Sequence, residues 1–303
     1  MRAVRGKRVL TWFLCGLSGL LFASPAATQG RLRPRALAEV SLRPPPGLRS
    51  RSVRFPWDGS LMRGMLLKPS QYVRYVPEYA SAHRFYGTWE MVQLLERGAR
   101  RVAFRLPGSQ LSIGEISGEQ GGDIGGHHSH ESGRDADVGF FMTSADGKPY
   151  AGQSFAEFDA NGHGLAPNGG LRFDDARNWE LISKLVSDAD ARVQYIFVAH
   201  TLRQRLLNEA ARRGAAADVI ARAAQVMIEP SHGNPHRSHF HVRVYCAPAD
   251  RPLCKDVAPY WSWYPGMPPD GMYAGASVRT TRASGPLASI ASPFGAALHD
   301  GLE

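Results

Sequence analysis

Apolar positions along the chain switch between two periods, and each switch marks an element. Trp89, Val92 and Leu95 recur at helical spacing, so residues 88–101 read as a helix with Thr88 placed to cap it. Residues 101–105 and 110–116 read as strands, with Leu111 and Ile113 alternating and Pro107-Gly108 turning between them. Residues 137–142 read as a buried strand. The stretch 143–172 is rich in Gly, Asn, Asp and Pro and reads as a long loop. Asp174 or Asp175 then caps a helix striped by Trp179, Ile182, Leu185 and Val186. A strand at 193–198, helices at 201–213 and 216–227, and a last strand at 239–245 follow. This alternation predicts an α+β fold, an antiparallel sheet core flanked by helices.

Outside that region the periodicity is lost. Arg2, Arg5, Lys7 and Arg8 precede an apolar run over 9–23, and small residues follow, so residues 1–27 have the order of a secretory signal peptide. The run is short for a membrane span, which needs about 20 residues. Leu14 before Cys15 argues against lipidation, and no stable membrane anchor is expected after cleavage. Residues 28–54 are rich in Arg and Pro and read as an extended linker. Residues 55–264 are of single-domain size, and 265–303 read as an irregular tail.

The formal charge of +9 changes little in this picture. The first 54 residues hold eleven basic side chains against Glu39 alone, so the remainder is close to neutral and nucleic-acid binding is disfavoured. Cys246 and Cys254 remain after the expected cleavage. In an exported protein they are suited to a disulfide, with two free thiols as the alternative.

Two short stretches carry the chemistry. Residues 126–137 (GHHSHESGRDAD) set His130 six residues before Asp137, around a Ser132-Gly133 turn. In 236–241 (HRSHFH), a strand would turn His239 and His241 to one face and Phe240 to the other. His130, Asp137 and His241 would give a tetrahedral Zn²⁺ two imidazoles and a carboxylate, with a fourth position open to water, as in hydrolytic zinc sites. The site would lie on the sheet face among long loops. His239 is the candidate to carry the water proton to the leaving amine, and His236 to orient that exchange or hold the oxyanion. Arg134, Arg237 and Arg243 border the clusters and read as a solvated face. The aromatic run 260–264 reads as packing that fastens the C-terminal end.

The stretch GGHHSHESGRDADVGFF, followed by HRSHFHVRVYC and APADRPLCKD, resembles the penicillin-insensitive murein endopeptidases, zinc peptidases related to lysostaphin-type and D-Ala-D-Ala peptidases. AHRFYGTWEMVQLLERGA, GEISGEQGG and VQYIFVAHTLRQRLL extend the resemblance over roughly 82–256. It implies Zn²⁺ held by His130, Asp137 and His241, with His127 as a further metal contact and His239 and His236 as catalytic residues. It also implies a periplasmic or secreted enzyme that cuts D-alanyl-diaminopimelate cross-links of murein. Alternatives are a D-Ala-D-Ala carboxypeptidase and a non-catalytic, zinc-stabilised wall-binding protein. Asp159 and His163 differ in spacing from the family's second metal pair, and that site is not carried over.

Overall fold

Strand pairing around the last histidine cluster organises the protein. The computed structural model describes residues 44–267. The expected signal peptide, the first part of the Arg/Pro-rich segment and the tail beyond residue 267 lie outside the described residues. In chain order the elements are β1 (Arg51–Phe55), β2 (Asp58–Met62), β3 (Met65–Leu66), β4 (Val73–Tyr75), the one-turn helix α1 (Pro77–Ala80), β5 (Tyr86–Gly87) and α2 (Trp89–Arg105). Then come β6 (Leu111–Ile113), β7 (Asp135–Gly139), β8 (Met142–Thr143), β9 (Pro149–Tyr150), β10 (Arg172–Phe173) and α3 (Asp175–Val186). The chain continues through β11 (Val193–Phe197), α4 (His200–Arg212), α5 (Ala217–Val226), β12 (Met227–Ile228) and β13 (His239–Val244). Among the described residues no helix is long and apolar enough to cross a membrane.

The fold is α+β, but its main sheet is mixed rather than antiparallel throughout. The six strands run β12-β11-β13-β7-β6-β4. The central pairs β11/β13, β13/β7 and β7/β6 are antiparallel, and the outer pairs β12/β11 and β4/β6 are parallel. Parallel neighbours require a crossover. Helices α4 and α5 supply one between β11 and β12, and the segment carrying α2 supplies the other between β4 and β6.

Two expected elements are corrected. Residues 101–105 are the last turn of α2, not a strand. Val102 and Phe104, set between Arg101, Ala103 and Arg105, mimic a strand, but Val102 extends the helical stripe of Leu95 and Ala99 into the core while Phe104 stays 75% exposed. The Thr88 cap is as expected, its side chain accepting from Met91 N, and the helix ends before Pro107. The second correction concerns residues 51–54, expected as linker. They form most of β1, paired from Arg51↔Met62 to Phe55↔Asp58. No apolar alternation announces this strand, because its buried residue is Ser52. The hairpin is stitched to the loop closed by the Cys246–Cys254 disulfide: Arg54 N donates to Leu253 O at 2.8 Å and Lys255 N to Arg54 O at 3.0 Å.

The apolar face of β7 and β13 packs inward through Ala136, Val138, Phe240, Val242 and Val244, all fully buried. The ring of Phe240 meets Phe140 edge to face at 4.6 Å. Tyr260, Trp261 and Tyr264 join the core from the C-terminal side, with Trp261 Nε1 donating to Gln194 O at 2.8 Å. That is the packing role expected of them.

Helices α2 and α3 pack closely at Gly98, where an added Cβ would lie 3.0 Å from Leu181. Beside this contact Arg97 donates twice to Asp188, both bonds at 2.8 Å, with both side chains buried. Removing one partner leaves a buried charge unpaired. Asp188→Ala should therefore lower stability by about 3–5 kcal/mol, read from denaturant unfolding.

Candidate metal centre

The other face of β7 and β13 is polar, which is unusual for strands this deeply buried. Antiparallel register sets His241 opposite Asp137, Arg243 opposite Asp135 and His239 opposite Gly139. These five side chains share the face by the two-residue period. His130 reaches the same place from the loop before β7, with φ +75°. That loop is pinned where Gly122 N donates to Glu131 O at 2.8 Å, Glu131 N to Pro56 O at 2.9 Å and Thr88 N to Gly133 O at 2.9 Å. Gly133 itself has φ +70°, and a Cβ there would meet Leu61 at 2.8 Å, so the turn needs glycine.

Asp137 Oδ1 is the focus. His241 Nδ1 lies 3.2 Å from it, His130 Nε2 3.4 Å and His239 Nε2 3.5 Å. His127 Nδ1 lies 3.7 Å from the other oxygen. The structure thus brings together all four residues expected to contact metal, along with both expected catalytic histidines. His236 stands 5.1 Å from His239, ring centre to ring centre.

The far nitrogen of each imidazole is anchored. His130 Nδ1 lies 2.7 Å from Ile116 O, His241 Nε2 3.0 Å from Asp135 Oδ1, and His127 Nε2 2.7 Å from Glu115 Oε2. Each contact calls for a proton on the anchored nitrogen, so the neutral form of each ring turns a lone pair toward Asp137. His130 Nε2 and Asp137 Oδ1 are buried without a hydrogen-bond partner. Two such acceptors side by side call for a cation. Ligands at about 2.0–2.2 Å from zinc stand about 3.3–3.6 Å apart in a tetrahedron, close to the spacings around Asp137. His127, His130 and Asp137 form a group able to hold a metal ion, their ligand atoms within 4.8 Å of one another.

Electrostatics follow from burial and charge. Burial opposes the Asp137 carboxylate, but the imidazoles of His130 and His239 outweigh it and hold its pKa well below the usual range. Burial likewise opposes a charged His241, yet Asp135 and Asp137 push it up to about 9. The hydrogen bond to Glu115 raises His127. His239 and His236 respond the other way. Burial lowers them to about 4 and about 3, so both rings are neutral at pH 7.

Above these groups a cleft of about 370 Å³ opens, its walls including Tyr79, Phe155 and Phe197. Phe155 stacks on His239 at 4.7 Å. Its ring occupies space that Gly114 leaves empty, since a Cβ there would lie 2.6 Å from Phe155.

Other expectations divide. Arg134 and Arg243 are not a solvated face: each is 1% exposed, because buried Asp256 and Asp135 hold them through contacts of 2.7 and 2.6 Å. Arg237 is exposed as expected. Asp159 Oδ1 accepts from the backbone N of Asn161 and His163 at 2.8 Å each, so it closes its own loop. Three residues of the site were missed. Asp135 was within reach, because the period that pairs His239 with His241 also pairs Asp135 with Asp137. Glu115 lies in the GEISGEQGG stretch of the resemblance, on the alternation of Leu111 and Ile113, but neither pattern marks it as a site residue; Phe155 lies in the long loop, where no local pattern points to it.

A family model described as penicillin-insensitive murein endopeptidase matches residues 62–265. A curated protein of that name from Haemophilus influenzae (strain ATCC 51907 / DSM 11121 / KW20 / Rd) is 33% identical over 186 residues, 58% of this chain and 57% of that protein. The chain therefore matches little more than half of that relative's length.

The converging acceptors make a direct prediction for the isolated protein. It should retain close to one equivalent of divalent metal on equilibrium dialysis, and His130→Ala and Asp137→Ala should each abolish retention while the circular dichroism spectrum is kept.

Proposed function

The chain belongs to the penicillin-insensitive murein endopeptidase family, and we propose that it is an exported zinc metallopeptidase that hydrolyses peptide cross-links in murein. The observation that carries this reading is the orphaned pair His130 Nε2 and Asp137 Oδ1, buried 3.4 Å apart, with Asp137 lining the cleft. His130, Asp137 and His241 would hold the ion, with His127 as a further contact. Zinc in such a site lowers the pKa of water toward 7 and polarises the scissile carbonyl.

The remaining work falls to the chain. His239 is neutral at pH 7 and lines the cleft. With its Nδ1 proton given to Ser238 Oγ at 2.9 Å, Nε2 is free to take a proton from the attacking water and return it to the leaving amine. Phe155, stacked on the ring, keeps it from turning away. His236 Nδ1 lies 2.8 Å from Asn234 O, so a neutral His236 carries its proton there. It then offers the cleft an acceptor, which suits orienting the proton exchange and does not suit donating to an oxyanion.

Family membership supports cleavage within a cross-link rather than at a free terminus. The reading extends to a bond of the D-alanyl-diaminopimelate type, cut in a periplasmic or secreted setting.

Digestion of purified murein tests the proposal. Dimeric muropeptides should fall and monomers rise, and a chelator should stop both changes. Shortened monomers with dimers intact would indicate a carboxypeptidase, and sedimentation with murein without any product would indicate a wall-binding protein. His239→Ala should keep its metal and lose about 10²–10⁴-fold in turnover.

A further inference from the structure

Strand β7 presents two aspartates on its polar face, and only Asp137 is needed as a ligand. We infer that Asp135 is a positioning residue which, braced by Arg243, holds His241 with its Nδ1 turned to the metal. This inference rests on the reading of His241 as a ligand.

The side chain of Asp135 is fully buried, and its Oδ1 accepts from both His241 Nε2 at 3.0 Å and Arg243 Nε at 2.6 Å. Arg243 stands directly opposite Asp135 in the strand register. Its guanidinium lies 5.8 Å from the ring of Trp57, at the turn between β1 and β2. A line of contacts therefore runs from the N-terminal hairpin through Arg243, Asp135 and His241 to Asp137.

Strand pairing alone does not ask for these charges. A buried ion pair is often no more stabilising than apolar residues of the same volume. Nor is the pair arranged for its own strength. An arginine and a carboxylate attract best through two parallel hydrogen bonds, yet Asp135 Oδ2 and Arg243 Nη1 have no protein partner. The carboxylate instead shares one oxygen between the arginine and the histidine. That arrangement fixes the tautomer of His241, because a lone pair on Nε2 would face a carboxylate oxygen 3.0 Å away. A metal-ligating histidine typically has such a partner on its other nitrogen, and losing that partner weakens metal binding.

Two measurements test the assignment. In long-range ¹H–¹⁵N spectra of the zinc-loaded wild-type protein, His241 should carry its proton on Nε2 and show metal-bound Nδ1; the reverse pattern overturns the inference. In Asp135→Asn, the zinc dissociation constant from chelator competition should rise about 10–100-fold, with the circular dichroism of the metal-free protein kept. An unchanged constant in folded Asp135→Asn also overturns it. Should that variant fail to fold, the wild-type spectrum decides alone. Failure of the wild-type protein to bind zinc would instead remove the functional reading, which keeps the two outcomes distinct.

Discussion

A carboxylate oxygen without a hydrogen-bond donor of its own, ringed by three imidazole nitrogens at 3.2–3.5 Å, is the constraint on which the rest of the site depends. Burying Asp137 among lone pairs is costly unless positive charge compensates it. The surrounding groups are arranged around that cost. Ile116 O, Asp135 and Glu115 each hold one imidazole by its far nitrogen, so in the neutral, metal-binding form the near nitrogens converge with their lone pairs. Ile116 O and Asp135 act from behind the cleft, whereas Glu115 also lines it.

The sheet makes this possible. Adjacent antiparallel strands β7 and β13 put Asp137 and His241 opposite each other, while their alternate residues anchor the apolar core. One pair of strands thus secures the fold on one face and carries charge on the other. The loop with His127 and His130 cannot rely on strand pairing, and it is pinned instead by backbone bonds from Glu131 and Gly133 to Pro56 and Thr88. Its hold on the site runs through the N-terminal hairpin, which also caps Arg243 with Trp57.

Burial also separates the histidines by role. His241 lies between two carboxylates and favours the charged or metal-bound ring, whereas His239 and His236 are held neutral by desolvation and by the neighbouring imidazoles. One cluster therefore contains rings suited to binding a cation and rings suited to accepting a proton. Phe155 and its slot at Gly114 add a mechanical restraint on His239 that leaves the carboxylates untouched.

Much of the site was legible in the chain itself. The spacing of His130 from Asp137 and the alternation of His239 with His241 are local patterns, and local periodicity dictates which side chains share a face. The same holds for the Thr88 cap and the helical stripe that follows it. What the sequence could not determine was everything set by distance along the chain. Residues 51–54 form a strand because β2 and the disulfide loop are there to pair with them, although only a serine is buried. Arg134 and Arg243, polar by type, lie inside because buried aspartates receive them. Glu115 and Phe155 enter the site from segments far from the histidine clusters in the chain. Composition and period decide what a residue can do locally. Only the packed sheet, by bringing distant carboxylates and rings into contact and excluding water, decides what each is required to do.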